Sequence, residues 1–120
     1  MLSVGRGVRV YLAREPADMR KGIDGLVGLV RQFGGEVFAG HLFVFISRRR
    51  DRLKILAWDT GGFVVYYKRL EKGRFKLPKL EAGQTSVSLD GAELRLLLDG
   101  IDFTHLKRPR LWEPPLTGVG

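Results

Sequence analysis

Ser47 to Lys54 reads SRRRDRLK, placing Arg48, Arg49, Arg50, Arg52 and Lys54 against one acid, Asp51. Guanidinium forks pair bidentately with phosphate oxygens, so the chemistry this stretch suits is polyanion binding rather than bond making. The plainer reading is a solvated hairpin whose charges keep a sheet from associating edge to edge. One or two charges, often lysine, suffice for that. Three adjacent arginines repel one another and exceed the need, so a phosphate-contacting finger is the expectation. The whole chain leans the same way. Its 120 residues hold 21 Lys and Arg against 13 Asp and Glu, a net charge of +8 with a pI near 10.3. A surplus of that size points to a polyanionic partner, nucleic acid foremost, although an acidic protein surface would also answer it.

Groups that make or break bonds are sparse. There are no cysteines, which excludes disulfides, a thiolate nucleophile and cysteine-based zinc sites. The two histidines, His41 and His105, are far from metal-ligand spacing, and His41 at a strand start reads as a structural or rim residue. Asp24, Asp51, Asp59 and Glu71 are scattered over turns and a helix. Asp59 and Glu71 are the pair that turns could bring together as a minimal metal site for phosphodiester chemistry. A turn-forming aspartate and a surface glutamate explain them more simply. No P-loop or dinucleotide fingerprint is present. The expectation is a protein that is not an enzyme, with no catalytic residue, metal or cofactor.

These residues need elements to hold them. Val8 to Leu12, VRVYL, alternates in the strand manner. Pro16 suits the first turn of a helix, and from Asp18 a helical pattern runs through MRKGIDGLVGLVRQF. Met19, Ile23, Leu26, Val27, Val30 and Phe33 form its apolar face, Asp18 favours the dipole at its start, and Gly34-Gly35 end it. Gly22, Gly25 and Gly28 recur every three residues inside it. Each costs about 1 kcal/mol against alanine, which suggests close approach, to the sheet ahead of a partner backbone.

The middle of the chain reads as β. His41 to Ile46, HLFVFI, is apolar on both faces and therefore central in a sheet. RRRD turns, Leu53 to Asp59 returns, Asp59-Thr60-Gly61-Gly62 turns again, and Gly62 to Leu70 makes a third strand. RFKL, Arg74 to Leu77, would add a short edge strand before Pro78. The short turns make neighbours antiparallel, a meander. KLEAGQTSV then reads as loop. Asp90 to Leu98 reads as a short helix in which Asp90 and Glu93 resemble a capping box, stopped by Gly100.

In such a meander the first turn and the end of the third strand lie at one end of the sheet. That gathers Lys68, Arg69, Lys72, Arg74 and Lys76 with the arginine turn. Trp58, Phe63, Tyr66, Tyr67 and Phe75 accompany the charge. Aromatics can stack on unpaired bases, but in a small sheet they more often form core.

The strings DMRKGIDGL (Asp18 to Leu26), GHLFVF (Gly40 to Phe45), RLKILAWD (Arg52 to Asp59) and YKRLEKGRF (Tyr67 to Phe75), in that order, resemble the TnpB accessory protein of the IS-sixty-six group of bacterial insertion sequences. DGAELRLLLDGID (Asp90 to Asp102) resembles that family's C-terminal helix. The likeness spans roughly residues 8 to 108. It does not extend to the much longer RNA-guided nuclease that shares the name TnpB. The resemblance implies a short protein required for efficient transposition beside a separate, larger transposase, and it carries over no catalytic residue. Matching positions include Asp18, Met19, Arg20, Lys21, Gly22, Gly25, Lys54, Trp58, Asp59, Lys68, Arg69, Gly73, Arg74 and Phe75. Ala57 and Leu77 depart from it, the latter where a tryptophan is common.

The expectation is one α+β domain over residues 1–104: an N-terminal strand and helix, a central antiparallel meander of three to four strands, and a short C-terminal helix. Residues 105–120 make a basic, proline-containing tail, expected to be irregular. DNA phosphates would be held by Arg48, Arg49, Arg50, Arg52, Lys54, Lys68, Arg69 and Arg74, with Lys107, Arg108 and Arg110 as an auxiliary arm. The alternative is a module that docks on the element's transposase without binding DNA, using Arg20, Lys21, Gly22 and Gly25. With no apolar run long enough for a membrane span and no secretory h-region, the protein is expected in the cytoplasm.

Overall fold

A computed structural model describes residues 5 and 7–103; the expected tail at 105–120, including Lys107, Arg108 and Arg110, lies outside the described residues. The elements run β1 (Val10–Ala13), α1 (Ile23–Gln32), β2 (Leu42–Ile46), β3 (Arg52–Asp59), β4 (Gly62–Arg69), β5 (Ser86–Leu89) and α2 (Gly91–Leu98). The strands form one five-stranded sheet in the order β4-β3-β2-β1-β5. The fold is α+β, with β2, β3 and β4 as the antiparallel meander. β1 joins β2 in parallel and β5 antiparallel, so the first of the described strands lies inside the sheet.

The strand periodicity sorts side chains onto two faces. Every residue of β2 is buried, as befits the central strand. Phe43 and Phe45 cluster with Leu56 and with Leu26, Val27 and Val30 of α1 on one face. Leu42, Val44 and Ile46 cluster with Leu53, Ile55, Val10 and Leu12, and with Leu94 and Leu97 of α2, on the other. α2 begins as its residues require. Glu93 N–H donates to Asp90 Oδ1 at 2.7 Å and Asp90 N–H donates to Glu93 Oε1 at 3.0 Å, a complete capping box.

Four local expectations are corrected. α1 starts at Ile23 rather than Asp18, because Asp18 Oδ1 accepts the Arg20 N–H at 2.9 Å and holds residues 18–21 as a turn. Such side-chain bonding offers the backbone an alternative to helix. Gly22 and Gly28 do not mark close packing within the fold, and Gly25 approaches the Asp18–Lys21 turn rather than the sheet. A methyl group at Gly22 or Gly28 would meet nothing within 4 Å, whereas at Gly25 it would meet Lys21 Cβ and Cγ at 3.0 Å. Arg74–Leu77 is not a strand: the Phe75 N–H donates to Arg50 O at 2.7 Å and its ring enters the core. The stretch read as loop yields β5, in which Val87 and Leu89 are buried and Ser88 is exposed.

Candidate nucleic-acid interface

The β2–β3 hairpin is closed by its own main chain. Ser47 N–H donates to Arg52 O and Arg50 N–H to Ser47 O, both at 2.9 Å. Ser47 Oγ accepts from Arg52 N–H at 3.1 Å and lies 3.3 Å from Asp51 Oδ1. Arg50 takes a left-handed conformation, φ 66°, which is uncommon for a residue with a Cβ. The segment after β4 then fastens the turn from outside. Leu70 N–H donates to Asp51 O at 2.8 Å, and Phe75 N–H donates to Arg50 O at 2.7 Å. The backbone of the arginine turn is thus hydrogen-bonded from both sides while Arg48, Arg49 and Arg50 project into solvent.

Pairing of β3 with β4 places Arg52 opposite Arg69, so the hairpin tip and the end of β4 share one end of the sheet. Arg74 is exposed next to Phe75, which is itself bonded to the tip. Among the described residues, Arg48, Arg49, Arg50, Arg52 and Arg74 form no ion pair. Arg69 is different: its Nε donates to Glu71 Oε2 at 2.9 Å, which raises the Arg69 pKa above the ordinary arginine value.

Two of the expected phosphate ligands have other partners. Lys54 Nζ donates to Met19 O at 2.9 Å and to Lys21 O at 2.8 Å, and lies 5.5 Å from the Tyr67 ring centroid. Lys68 Nζ donates to Leu98 O at 2.6 Å, at the C-terminus of α2, where the helix dipole favours a cation. Lys54 thus holds the Asp18–Lys21 turn to the sheet, and Lys68 holds the end of α2 to it. The sequence does carry a signal for Lys54: strand alternation puts it on the same face as the buried Leu56.

The bonds of Lys54 also bring the Asp18–Lys21 turn onto β3, two residues from Arg52 along the strand. Arg20 and Lys21, expected as a separate partner site, thus stand on the same side of the sheet as Arg52. The Arg20 guanidinium grips Asp18 through Nε (3.0 Å) and Nη2 (2.7 Å) while its side chain stays 91% exposed. The hydrogen bonds from Arg20 hold the Asp18 carboxyl well below the usual carboxylate range, and Asp18 in turn raises the pKa of Arg20.

The remaining chemistry is structural. Asp59 pairs with Gly62 at the far end of the β3–β4 ladder, whereas Glu71 follows Arg69 at the near end, about 20 Å or more away. They cannot share a metal. His41 Nδ1 accepts the Arg9 N–H at 3.1 Å. Among the described residues no group of three or more acidic or histidine side chains is placed to hold a metal ion. Phe75 is core, and Trp58 and Phe63 pack edge to face at 5.0 Å beside Phe38, at the end of the sheet away from the arginines. Tyr67 alone of the β-region aromatics is both exposed and beside a cation.

A family model described as IS66 Orf2 like protein matches residues 8–108. Two curated proteins of Sinorhizobium fredii are similar over nearly their whole length. The uncharacterized protein y4jC is 36% identical over 115 residues, covering 95% of this chain and 97% of the relative. The uncharacterized protein y4hO is 36% identical over 119 residues, covering 98% and 100%. No solved structure gives a significant match.

Proposed function

This chain belongs to the family of IS66 Orf2 like proteins, and from that premise we propose a non-catalytic DNA-binding accessory protein of insertion-sequence transposition. Membership itself implies the accessory role in transposition. The DNA contact is our reading of the hairpin end. It rests on one observation: Arg48, Arg49, Arg50, Arg52 and Arg74 converge on one end of the sheet without an acid to neutralise them among the described residues.

Phosphate oxygens suit that cluster because each guanidinium offers a planar fork and the main chain beneath it is already fixed. Contacts of this kind position a protein on a duplex and read little sequence. The test is a titration on element-end DNA and on random duplex at two salt concentrations. Comparable affinity for both, falling steeply with salt, supports the reading. No binding to either DNA sinks it. Incubating plasmid with magnesium or manganese should give no nicking.

A second reading is docking on the element's transposase through the start of α1. The exposed backbone at Gly22 and Gly28, beside Ile23 at 41% exposure and the outward Arg20, favours it. Co-purification with the transposase after nuclease treatment, lost on Arg20→Glu, would support it.

A further inference from the structure

Between residues 43 and 75 the fold uses every aromatic side chain but one. Phe43, Phe45 and Phe75 are buried, Trp58 and Phe63 pack on each other, and Tyr66 packs against the core on the α2 side. Tyr67 belongs to neither core cluster and is 49% exposed. An exposed tyrosine is ordinary by itself; its surroundings here are not. Strand pairing sets Tyr67 opposite Lys54, and Arg69 opposite Arg52 two residues further along. Alternate strand residues share a face, so all four side chains stand on the face where Leu56 packs against α1. The rise of a strand puts the Arg52–Arg69 pair about 7 Å from the Lys54–Tyr67 pair. Lys54 also ties the turn that carries Arg20 and Lys21 to this face. On the β3 side, Lys54 Nζ lies over the tyrosine ring, 5.5 Å from its centroid. On the other side β4 is the edge of the sheet, with no strand beyond it among the described residues. One flank of the ring is thus held by a cation, and the other opens at the edge.

We propose that Tyr67 is a stacking platform for an unpaired base of DNA whose flanking phosphates lie on Arg52 and Arg69. The inference rests on the DNA reading of the hairpin end and adds to it the form of the DNA: a site with unpaired bases rather than a fully paired duplex. Every base has a π-face, so a tyrosine accepts any of them, while cations beside it track the backbone. Both parts stand together on this face. Arg52 has no acid partner among the described residues, and the bond from Arg69 to Glu71 uses Nε, leaving the Nη groups to a phosphate. An apolar protein segment would match the ring but leave the surrounding cations without a counter-charge, so charge complementarity selects the nucleotide. In a paired duplex the base faces are closed by their neighbours, and the ring adds nothing there.

The test compares two DNA duplexes of equal length, one fully paired and one with a central mismatched bubble, by fluorescence anisotropy with the full chain. Equal phosphate counts cancel the salt-dependent part of binding. The parent protein should bind the bubble roughly 5- to 150-fold more tightly, the worth of one stacked base. Tyr67→Leu should bring that ratio to about one, and Tyr67→Phe should keep it. A purely structural tyrosine would instead lower both affinities together in the leucine variant and leave the ratio intact, which overturns the inference. Equal binding of the two DNAs by the parent protein overturns it as well, with the phosphate reading still standing; no binding to either sinks both. Should the leucine variant lose its fold, as read by far-UV circular dichroism, iodouracil placed in the bubble decides. Photocross-linking of the parent protein at Tyr67 upholds the inference, and cross-linking at other residues alone overturns it.

Discussion

Arg52 and Arg69 stand directly opposite each other across the β3–β4 ladder. Like charges at such a pair destabilise a sheet by up to about 1 kcal/mol. Glu71 relieves Arg69 through a 2.9 Å bond, but no acid among the described residues pairs with Arg52. Local rules are broken most often where function needs them broken, and a polyanion at this end would remove the repulsion.

Charge reversal of Arg48, Arg49 and Arg50 to glutamate should weaken DNA binding strongly. With five arginines on phosphates, log K should fall against log salt with a slope of about −4.5. The variant should lose about 2.7 of that slope, roughly 0.9 for each phosphate contact removed. Fluorescence anisotropy titrations across a salt series measure both quantities. An unchanged slope would mean that the turn does not touch phosphate.

Lys54→Met separates a structural cation from a binding one. It removes two charged hydrogen bonds from a half-buried amine to Met19 O and Lys21 O. The expected loss is about 1.5–3 kcal/mol of stability, read by urea denaturation. The salt slope of DNA binding should stay as in the parent protein.

Gly28→Ala should stabilise the protein. Gly28 is helical and a methyl group there meets nothing within 4 Å, so the helix gains about 0.5–1 kcal/mol. A thermal melt shows the gain. If that open backbone seats a transposase, the same variant should be captured less well while melting higher.

The Asp18 carboxyl sets an acid dependence. Its folded pKa is depressed by the Arg20 bonds, so its contribution is fully present above the unfolded carboxylate value, about 4. It is lost as pH falls below that value toward the folded pKa. The difference in Tm between the parent and Asp18→Asn should therefore be constant from neutral pH to about 5. It should shrink on further acidification.

The strongest signals in the sequence were those of pattern. LFVFI, apolar at every position, could only be a strand covered on both faces, and Asp90 with Glu93 named both a helix start and its cap. Two starts were harder to see. Asp18 offers its carboxylate to the next turn as readily as to a helix dipole, and only the bond to Arg20 N–H decides between them. Ser86 and Ser88 leave β5 a bare four-residue alternation with one β-branched residue, and it forms because β1 supplies a partner from seventy-odd residues away. At the site, the arginine turn was legible because covalent neighbours need no fold to gather them. The carbonyl partners of Lys54 and Lys68 were not, since a sequence counts cations without showing which carbonyls they reach. Met19 O, Lys21 O and Leu98 O are brought to them by tertiary packing alone.

β1 leaves the ribosome before the other four described strands, yet it ends up flanked by β2 and β5. One of its sides therefore stays open until Ser86–Leu89 has been synthesised, even with α1 and the whole meander already made. Closing that gap joins segments far apart in the chain, the slow kind of step in folding. A nascent chain halted before β5 would carry an unsatisfied strand, exposed to association with its neighbours. The sheet is thus completed only once the last of its five described strands has been made, and the yield of the protein should respond to chaperone supply.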